Sequence, residues 1–306
     1  MRLATFTHRV ATTIGVVADD LVYPVSRLGD FPETMRELLL AGPDTWRSLE
    51  EAFRDTLAEG QVKGIPLPEV RLLAPVPDPP KNVICLGLNY AEHAAEGAAA
   101  SGRDLVLPEH PVVFTKAPTS INGPYGDLPY DPVVSDEMDY EVELAVIIGV
   151  PGRGIAPERA LEHVFGYTVL NDVTARDLQR NHRQFFLGKS LDGACPTGPW
   201  IVTADEIGDP QSLRLRAWVN GELRQDATTA DQIFDVATTI SILSRGMTLQ
   251  PGDIIATGTP AGVGFARTPP QFLEPGDVVE CEVEGIGRLR NRVVPLDLLG
   301  LPEGAG

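Results

Sequence analysis

The sequence predicts an α+β protein that is dominated by β-strands. Short apolar and β-branched runs recur along the 306 residues, few segments show helical periodicity, and turn residues are abundant, with 30 glycines and 27 prolines. Because regular helices of about 10–15 residues do not separate the strands, a doubly wound parallel sheet is disfavoured.

Residues 1–75 are predicted to form a small N-terminal α+β domain. Three strand-like runs, RLATFT, TIGVVADD and LVYPV, precede helical patterns over Phe31–Leu40 and Asp44–Ala58. The prolines that follow cannot continue a helix or a central strand, so 76–80 is interpreted as a linker. Residues 81–306 then form the larger second domain.

The second domain is predicted to consist of short strands joined by turns, with few helices. Asn220-Gly221 is a strong hairpin signal between Leu213–Val219 and Glu222–Gln225. A helix is predicted over Ile233–Leu243, and the small, polar residues 97–110 indicate a mobile loop. The other predicted strands are Asn82–Leu88, Val112–Thr115, Tyr140–Gly149, Gly166–Leu170, Asp253–Thr257, Val278–Val283 and Arg288–Val294.

Composition limits the partners of this chain. Its 43 acidic residues outnumber 25 Lys and Arg, giving a net charge of −18, which disfavours nucleic acid or an anionic membrane as the main partner. The three cysteines, Cys85, Cys195 and Cys281, form no CxxC pair, so neither a disulfide framework nor a zinc site is expected and all three are interpreted as structural. Without a long apolar run or a signal-peptide pattern, the expected location is the cytoplasm.

Two carboxylates in the strand-like run after Asp139 carry the strongest chemical signal. Glu141 and Glu143 are two residues apart, so they share one face with Cα atoms about 6.6 Å apart. Burying both unpaired would cost several kcal/mol, and a divalent cation such as Mg²⁺, Mn²⁺ or Ca²⁺ would remove that penalty. Asp172 follows another predicted strand and is placed to add a third ligand. The alternatives are a solvated strand end, pairing with Arg or Lys, or a helix-capping role for Asp172 or Thr174.

Further candidates lie on either side of these carboxylates. His93 and Glu96 are neighbours on a helical turn, which suits a general base but is also common on surfaces. Lys189, in a setting of apolar residues and glycine, can present a cation to an enolate or extend to solvent. The loop Gly258–Gly264 can bind a ligand carboxylate through backbone N–H groups or be a tight turn only.

Long motifs in this order resemble the fumarylacetoacetate hydrolase family. The resemblance runs from about Lys81 to Pro295, roughly 70% of the chain, and rests on the motifs NYAEHAAE, SDEMDYEVELAVIIG, GYTVLNDVTARDLQ, FFLGKSLDGACPTGPW and PGDIIATGTPAGVG. It implies a mixed β-sheet roll around a divalent metal, a homodimer, and an N-terminal domain like that of many bacterial members.

The resemblance also implies roles for individual residues. Leu191 departs from the phenylalanine usual after the serine of the lysine motif, so the pocket shape is expected to differ. The implied metal ligands are Glu141, Glu143 and Asp172; the implied catalytic residues are His93, Glu96 and Lys189; the implied substrate-binding residues are Arg176, Gln179, Gly258 and Thr259.

The family resemblance implies chemistry on 2-oxo acids or 1,3-dicarbonyl compounds. Because the His93–Glu96 pair can activate water, the first expectation is hydrolysis of a C–C bond in an acylpyruvate. The alternative is an isomerase or decarboxylase acting on hydroxyhepta-dienedioate or oxaloacetate, as in aromatic catabolism. A further alternative is a metal-stabilised binding protein without turnover.

Overall fold

The computed structural model describes residues 1–60, 62–102 and 104–296, and within them the fold is the strand-rich α+β structure that the sequence predicts. The strands are β1 (Arg2–His8), β2 (Ala11–Ala18), β3 (Leu21–Pro24), β4 (Ile65–Pro66), β5 (Arg71–Leu72), β6 (Val83–Gly87), β7 (Val112–Lys116), β8 (Ile121–Asn122), β9 (Leu128–Tyr130), β10 (Met138–Asp139), β11 (Val142–Ile148), β12 (Val164–Asn171), β13 (Thr174–Ala175), β14 (Cys195–Thr203), β15 (Arg214–Val219), β16 (Glu222–Thr228), β17 (Ile254–Ala256), β18 (Val278–Val283) and β19 (Gly287–Pro295). The helices are α1 (Met35–Ala41), α2 (Pro43–Glu59), α3 (Ala91–Ala100), α4 (Arg176–Asn181), α5 (Phe186–Lys189), α6 (Ala204–Ile207) and α7 (Val236–Ser244). Across these described ranges, no helix has the length and apolar character needed to cross a membrane.

A large mixed sheet of 12 strands organises the molecule. Its strand order is β4-β3-β2-β1-β14-β12-β11-β17-β6-β7, with β5 beside β1 and β8 beside β14. Strand β1 pairs with β14, so the sheet continues across the domain boundary expected at residue 75. The division of the chain into domains stays a prediction, and the last residues of the predicted second domain, 297–306, lie outside the described ranges.

Strand β11 is buried on both faces because a different layer covers each one. On one face, Leu144 and Val146 share a core with the second sheet, whose order is β16-β15-β18-β19-β9. On the other face, Ala145 and Ile147 share a core with helices α1 and α2. By the alternation of a strand, Glu143 lies on the same face as Ala145. A carboxylate is therefore placed deep inside the protein.

The structure confirms the Asn220-Gly221 hairpin. It also contains short elements that the sequence did not predict, among them helices α5 and α6 and strands β8 and β9, and it differs from the prediction at two longer segments. Strand β14 was not predicted, because Pro196 and Pro199 argue against a strand, yet the residues between them pair with β12. The loop predicted over 97–110 is wrong for its first four residues, which belong to helix α3. The three residues that follow Gly97 in α3 are alanine, the strongest helix former, which outweighs the glycine.

Candidate metal centre and active site

Three carboxylates converge where β11 begins and β12 ends. The two strands are antiparallel, with Val142 opposite Asn171, and the backbone N–H of Asp172 donates to the carbonyl of Glu141 at 2.9 Å. This pairing brings together Glu141, Glu143 and Asp172, each of which offers an oxygen within 4.8 Å of the others. All three side chains are buried. The structure thus assembles the three predicted metal ligands, and their role as ligands stays a proposal.

Buried cations pair with most of this negative charge. The Nζ atom of Lys189 lies 2.7 Å from both Glu141 Oε2 and Asp172 Oδ2. Arg176 Nη2 lies 2.7 Å from Glu141 Oε1. The pairs continue at each end, giving an alternating ion-pair chain of three carboxylates and three cations: Asp139, Arg176, Glu141, Lys189, Asp172 and Lys116. Pairing with Arg or Lys, left open by the sequence, therefore applies to Glu141 and Asp172.

Glu143 lies outside the ion-pair chain, and its pKa shifts in the opposite direction from that of Glu141. Burial, together with repulsion from Asp172 and Glu141, raises the pKa of Glu143 well above its ordinary value. Burial also opposes ionisation of Glu141, but Lys189 and Arg176 outweigh it and lower that pKa to about 2. Among the described residues, Glu143 has no cationic partner, and its Oε2 accepts one hydrogen bond, from Gly258 N at 2.7 Å.

These observations fit a divalent cation with hard oxygen ligands. The cluster consists of carboxylates without thiolate or imidazole, which suits Mg²⁺ or Mn²⁺ better than Zn²⁺. The raised pKa of Glu143 reflects burial and then repulsion from the neighbouring carboxylates, and two added positive charges would relieve that repulsion. Glu141, Glu143 and Asp172 are the side chains that would hold the ion.

Helix α3 brings a histidine to this cluster. Glu96, one turn after His93, accepts a hydrogen bond from Gly262 N at 2.9 Å, and Gly258 N of the same loop donates to Glu143 at 2.7 Å. The loop therefore joins the His93–Glu96 turn to the carboxylate cluster. His93 Nδ1 lies 2.9 Å from Glu96 Oε1, as the sequence predicts for this pair. The two side chains are largely buried, so this is not a surface pair, and its catalytic role stays a prediction.

The glycine-rich loop Gly258–Phe265 holds acidic side chains through its backbone. Its glycine N–H groups donate to three carboxylates: Gly258 to Glu143 at 2.7 Å, Gly262 to Glu96 at 2.9 Å and Gly264 to Asp139 at 2.7 Å. Gly262 has φ +106°, and a Cβ there would lie 2.0 Å from the carbonyl oxygen of Arg224, so only glycine fits. We call this segment the carboxylate-binding loop.

The predicted substrate-binding residues also surround the cluster, but several of their polar groups are already bonded within the protein. Gly258 N–H donates to Glu143, and the Thr259 hydroxyl donates to Val142 O at 2.9 Å. Gln179 Oε1 accepts from Arg176 Nη1 at 3.2 Å. Contact of these groups with substrate therefore stays a prediction.

Two charged residues of the site escaped the sequence analysis. Lys116 ends strand β7 and belongs to no motif, although a lysine closing the apolar run VVFTK is itself a signal. Asp139 continues the alternation of Glu141 and Glu143, so period-2 spacing would have placed it on the same face. The structure brings both residues into the ion-pair chain.

The cysteines take no part in this polar centre. All three are free and buried. Burial, followed by smaller charge effects, raises the pKa of Cys195 to about 12. A thiol with such a pKa stays protonated at neutral pH and is a poor nucleophile. This agrees with a structural role.

Comparison with known proteins identifies the family. The model for the fumarylacetoacetate (FAA) hydrolase C-terminal region matches residues 82–294. The chain is 51% identical over 228 residues to the oxaloacetate tautomerase YisK of Bacillus subtilis, covering 74% of each protein. It is 44% identical over 265 residues to the mitochondrial oxaloacetate tautomerase FAHD2B of Bos taurus, covering 86% of this chain and 80% of the relative.

A solved structure agrees with these matches. The maleylpyruvate hydrolase from Sphingobium sp. SYK-6, in complex with manganese(II) ion and pyruvate, is 34% identical, with a TM-score of 0.77. The match covers 96% of this chain and 99% of that one. The roll expected from the sequence is thereby confirmed, as is the enzyme family. The chain belongs to the fumarylacetoacetate hydrolase family.

Proposed function

We propose that this chain is a divalent-metal-dependent tautomerase that interconverts the enol and keto forms of oxaloacetate or a closely related 2-oxo dicarboxylate. The observation that carries the proposal is the 51% identity to a protein named oxaloacetate tautomerase. The geometry is compatible, because tautomerisation requires one proton to move and needs no water nucleophile. The sequence ranked this reaction behind hydrolysis, and the relatives favour the reverse order.

The residues of this chain suggest how the proton moves. His93, next to the carboxylate cluster, is the base that removes a proton from the carbon beside the keto group. Glu96, bonded to Nδ1, orients the ring and stabilises the imidazolium. The proton then returns to the former keto oxygen, so one C–H bond breaks and one O–H bond forms. Lys189 contributes positive charge near the developing enolate. A bound divalent cation would add Lewis-acid stabilisation of the same charge.

The test follows the enol absorbance of freshly dissolved oxaloacetate at low buffer concentration, with Mg²⁺ or Mn²⁺ and with EDTA. We expect metal-dependent acceleration without release of pyruvate, and a loss of about 100-fold or more in His93→Gln. His8→Gln, a change on β1 in the N-terminal region, is the matched control and should keep full activity. Acceleration by the wild-type protein in EDTA, or acceleration at the wild-type rate by His93→Gln, would refute the proposal.

A second candidate is hydrolysis of an acylpyruvate, the reaction that the sequence analysis placed first. It is favoured by the likeness to the maleylpyruvate hydrolase. His93 would then take its proton from a water molecule, and the C–C bond next to the attacked carbonyl would break. Cleavage of acetylpyruvate or maleylpyruvate, without acceleration of oxaloacetate tautomerisation, would select this candidate.

Assays with oxaloacetate, acetylpyruvate and maleylpyruvate also separate the remaining alternatives. Pyruvate and CO₂ formed from oxaloacetate would indicate a decarboxylase. Stabilisation by metal without any turnover would indicate a binding protein. The homodimer stays a prediction that light scattering can test, and the cytoplasmic location stays a prediction as well.

A further inference from the structure

We propose that Lys116 is a positioning residue of the metal centre, which holds Asp172 so that one oxygen, Oδ2, is presented to the carboxylate cluster. The inference rests on the metal centre of the proposed function but is independent of which reaction occurs there. It concerns a residue outside the three carboxylates and outside the His93–Glu96 pair.

Lys116 donates a hydrogen bond to the Asp172 oxygen that does not contact Lys189. Its Nζ donates to Asp172 Oδ1 at 2.7 Å and to the carbonyl of Val173 at 3.0 Å. Lys189 Nζ donates to the other oxygen, Oδ2, also at 2.7 Å. Lys116 and Asp172 are both fully buried. The carboxylate is thus held at both oxygens, and its plane is fixed.

The two lysines differ in what else they contact. Lys189 bridges Asp172 and Glu141, two of the three carboxylates of the cluster. A cation that binds the cluster must share or displace that ammonium group. Lys116 contacts none of the other cluster carboxylates, and its second acceptor is a backbone carbonyl. The hydrogen bond from Lys116 to Asp172 Oδ1 can therefore persist when Oδ2 binds an ion.

Holding Oδ1 has two effects on metal binding. It leaves Asp172 a single oxygen to offer, which sets a one-oxygen mode of binding for that ligand. It also prevents rotation of the carboxylate, so less side-chain freedom is lost when an ion binds. Partners that orient metal ligands in this way are typically worth about 10–100-fold in affinity.

The experiment measures binding of Mn²⁺ to the full metal-stripped chain by electron paramagnetic resonance. Lys116→Met removes the ammonium and keeps the side-chain length, and we expect a 10–100-fold weaker Mn²⁺ affinity. The fine structure of bound Mn²⁺ should also change, because Asp172 becomes free to bind through both oxygens. A role limited to folding would move neither readout in the protein that remains folded.

The chain offers a matched control in Lys81→Met. Lys81 Nζ also bonds one buried aspartate, Asp253, at 2.6 Å and one backbone carbonyl, that of Thr248, at 2.6 Å. This ion pair has the same composition but no contact with the carboxylate cluster. We expect its Mn²⁺ affinity to stay within twofold of wild type.

The outcomes are distinct. Lys116→Met that binds Mn²⁺ with wild-type affinity and fine structure overturns the inference while leaving the metal centre intact. If Lys116→Met does not fold, Lys116→Leu, which likewise has no hydrogen-bond donor, decides by the same criteria. If the wild-type chain binds neither Mn²⁺ nor Mg²⁺, both the metal centre of the proposed function and this inference are wrong.

Discussion

Glu143→Gln should change how the stability of the metal-free protein depends on pH. Glu143 is 1% exposed, and among the described residues it has no cationic partner. Burial and repulsion from Asp172 and Glu141 raise its pKa in the folded state above the ordinary value of 4.5. Glutamine has a similar shape and no charge, so it removes this titration.

The sign and the size follow from proton linkage. Between pH 4.5 and the raised pKa, the unfolded chain has lost the proton of Glu143 while the folded protein retains it. The stabilisation is complete below pH 4.5 and is lost as the pH rises through the folded pKa. Over that window the free energy of unfolding falls by about 1.4 kcal/mol per pH unit. Glu141, with a lowered pKa of about 2, contributes only below this window.

Urea unfolding in EDTA between pH 5 and pH 8 measures the effect. Wild type should lose stability with rising pH relative to Glu143→Gln, and the exposed control Glu158→Gln should follow wild type. Saturating Mn²⁺, at about 100 times its Kd, should stabilise wild type by about 2.7 kcal/mol and leave Glu143→Gln nearly unchanged. Equal pH slopes for wild type and Glu143→Gln in EDTA would refute the reasoning.

Three further changes test the packing around the site. Gly188→Ala places a Cβ 2.6 Å from a backbone oxygen of β13, so it should lower the free energy of unfolding by about 1–3 kcal/mol and lower activity by displacing Lys189. In the control Gly246→Ala, the added Cβ meets open space, so neither stability nor activity should change. Thermal unfolding and turnover measure both effects. Leu144→Ala should cost about 2–5 kcal/mol in urea unfolding because the side chain is fully buried, and a cost under 1 kcal/mol would contradict the packing. Asn89→Ala, just before α3, removes the partner of up to three backbone groups, the N–H and carbonyl of Phe234 and the carbonyl of Thr257, at about 1–3 kcal/mol for each one left unpaired, and hydrogen exchange should become faster in α3 than elsewhere.

Local spacing was enough to predict the carboxylate cluster. Glu141 and Glu143 share a face in any strand, and Asp172 sits at the end of a run that reads as a strand in its own right. The antiparallel pairing of β11 with β12 then brings all three together. The hairpin at Asn220-Gly221 was predictable for a similar reason, since both residues have positive φ, as that turn requires.

The pairing of charges was not predictable, because it depends on contacts between distant segments. Lys116 and Asp172 are separated by 56 positions and meet only after β7 and β12 have joined the same sheet. Strand β14 was missed for a related reason, as its prolines disfavour a strand locally while its neighbours in the sheet impose one. The choice between hydrolysis and tautomerisation also lay beyond the residues, because the same side chains serve both reactions.

The carboxylate-binding loop positions three acidic side chains of the site through its main-chain conformation alone. Its donors to Glu143, Glu96 and Asp139 are amide hydrogens, which every residue except proline possesses. An alanine scan would therefore report the shape of this loop but never its hydrogen bonds. Replacing the amide N–H of Gly262 with an ester oxygen by protein semisynthesis would delete the bond to Glu96 alone. Libraries built from side-chain variants would therefore leave these backbone hydrogen bonds untested.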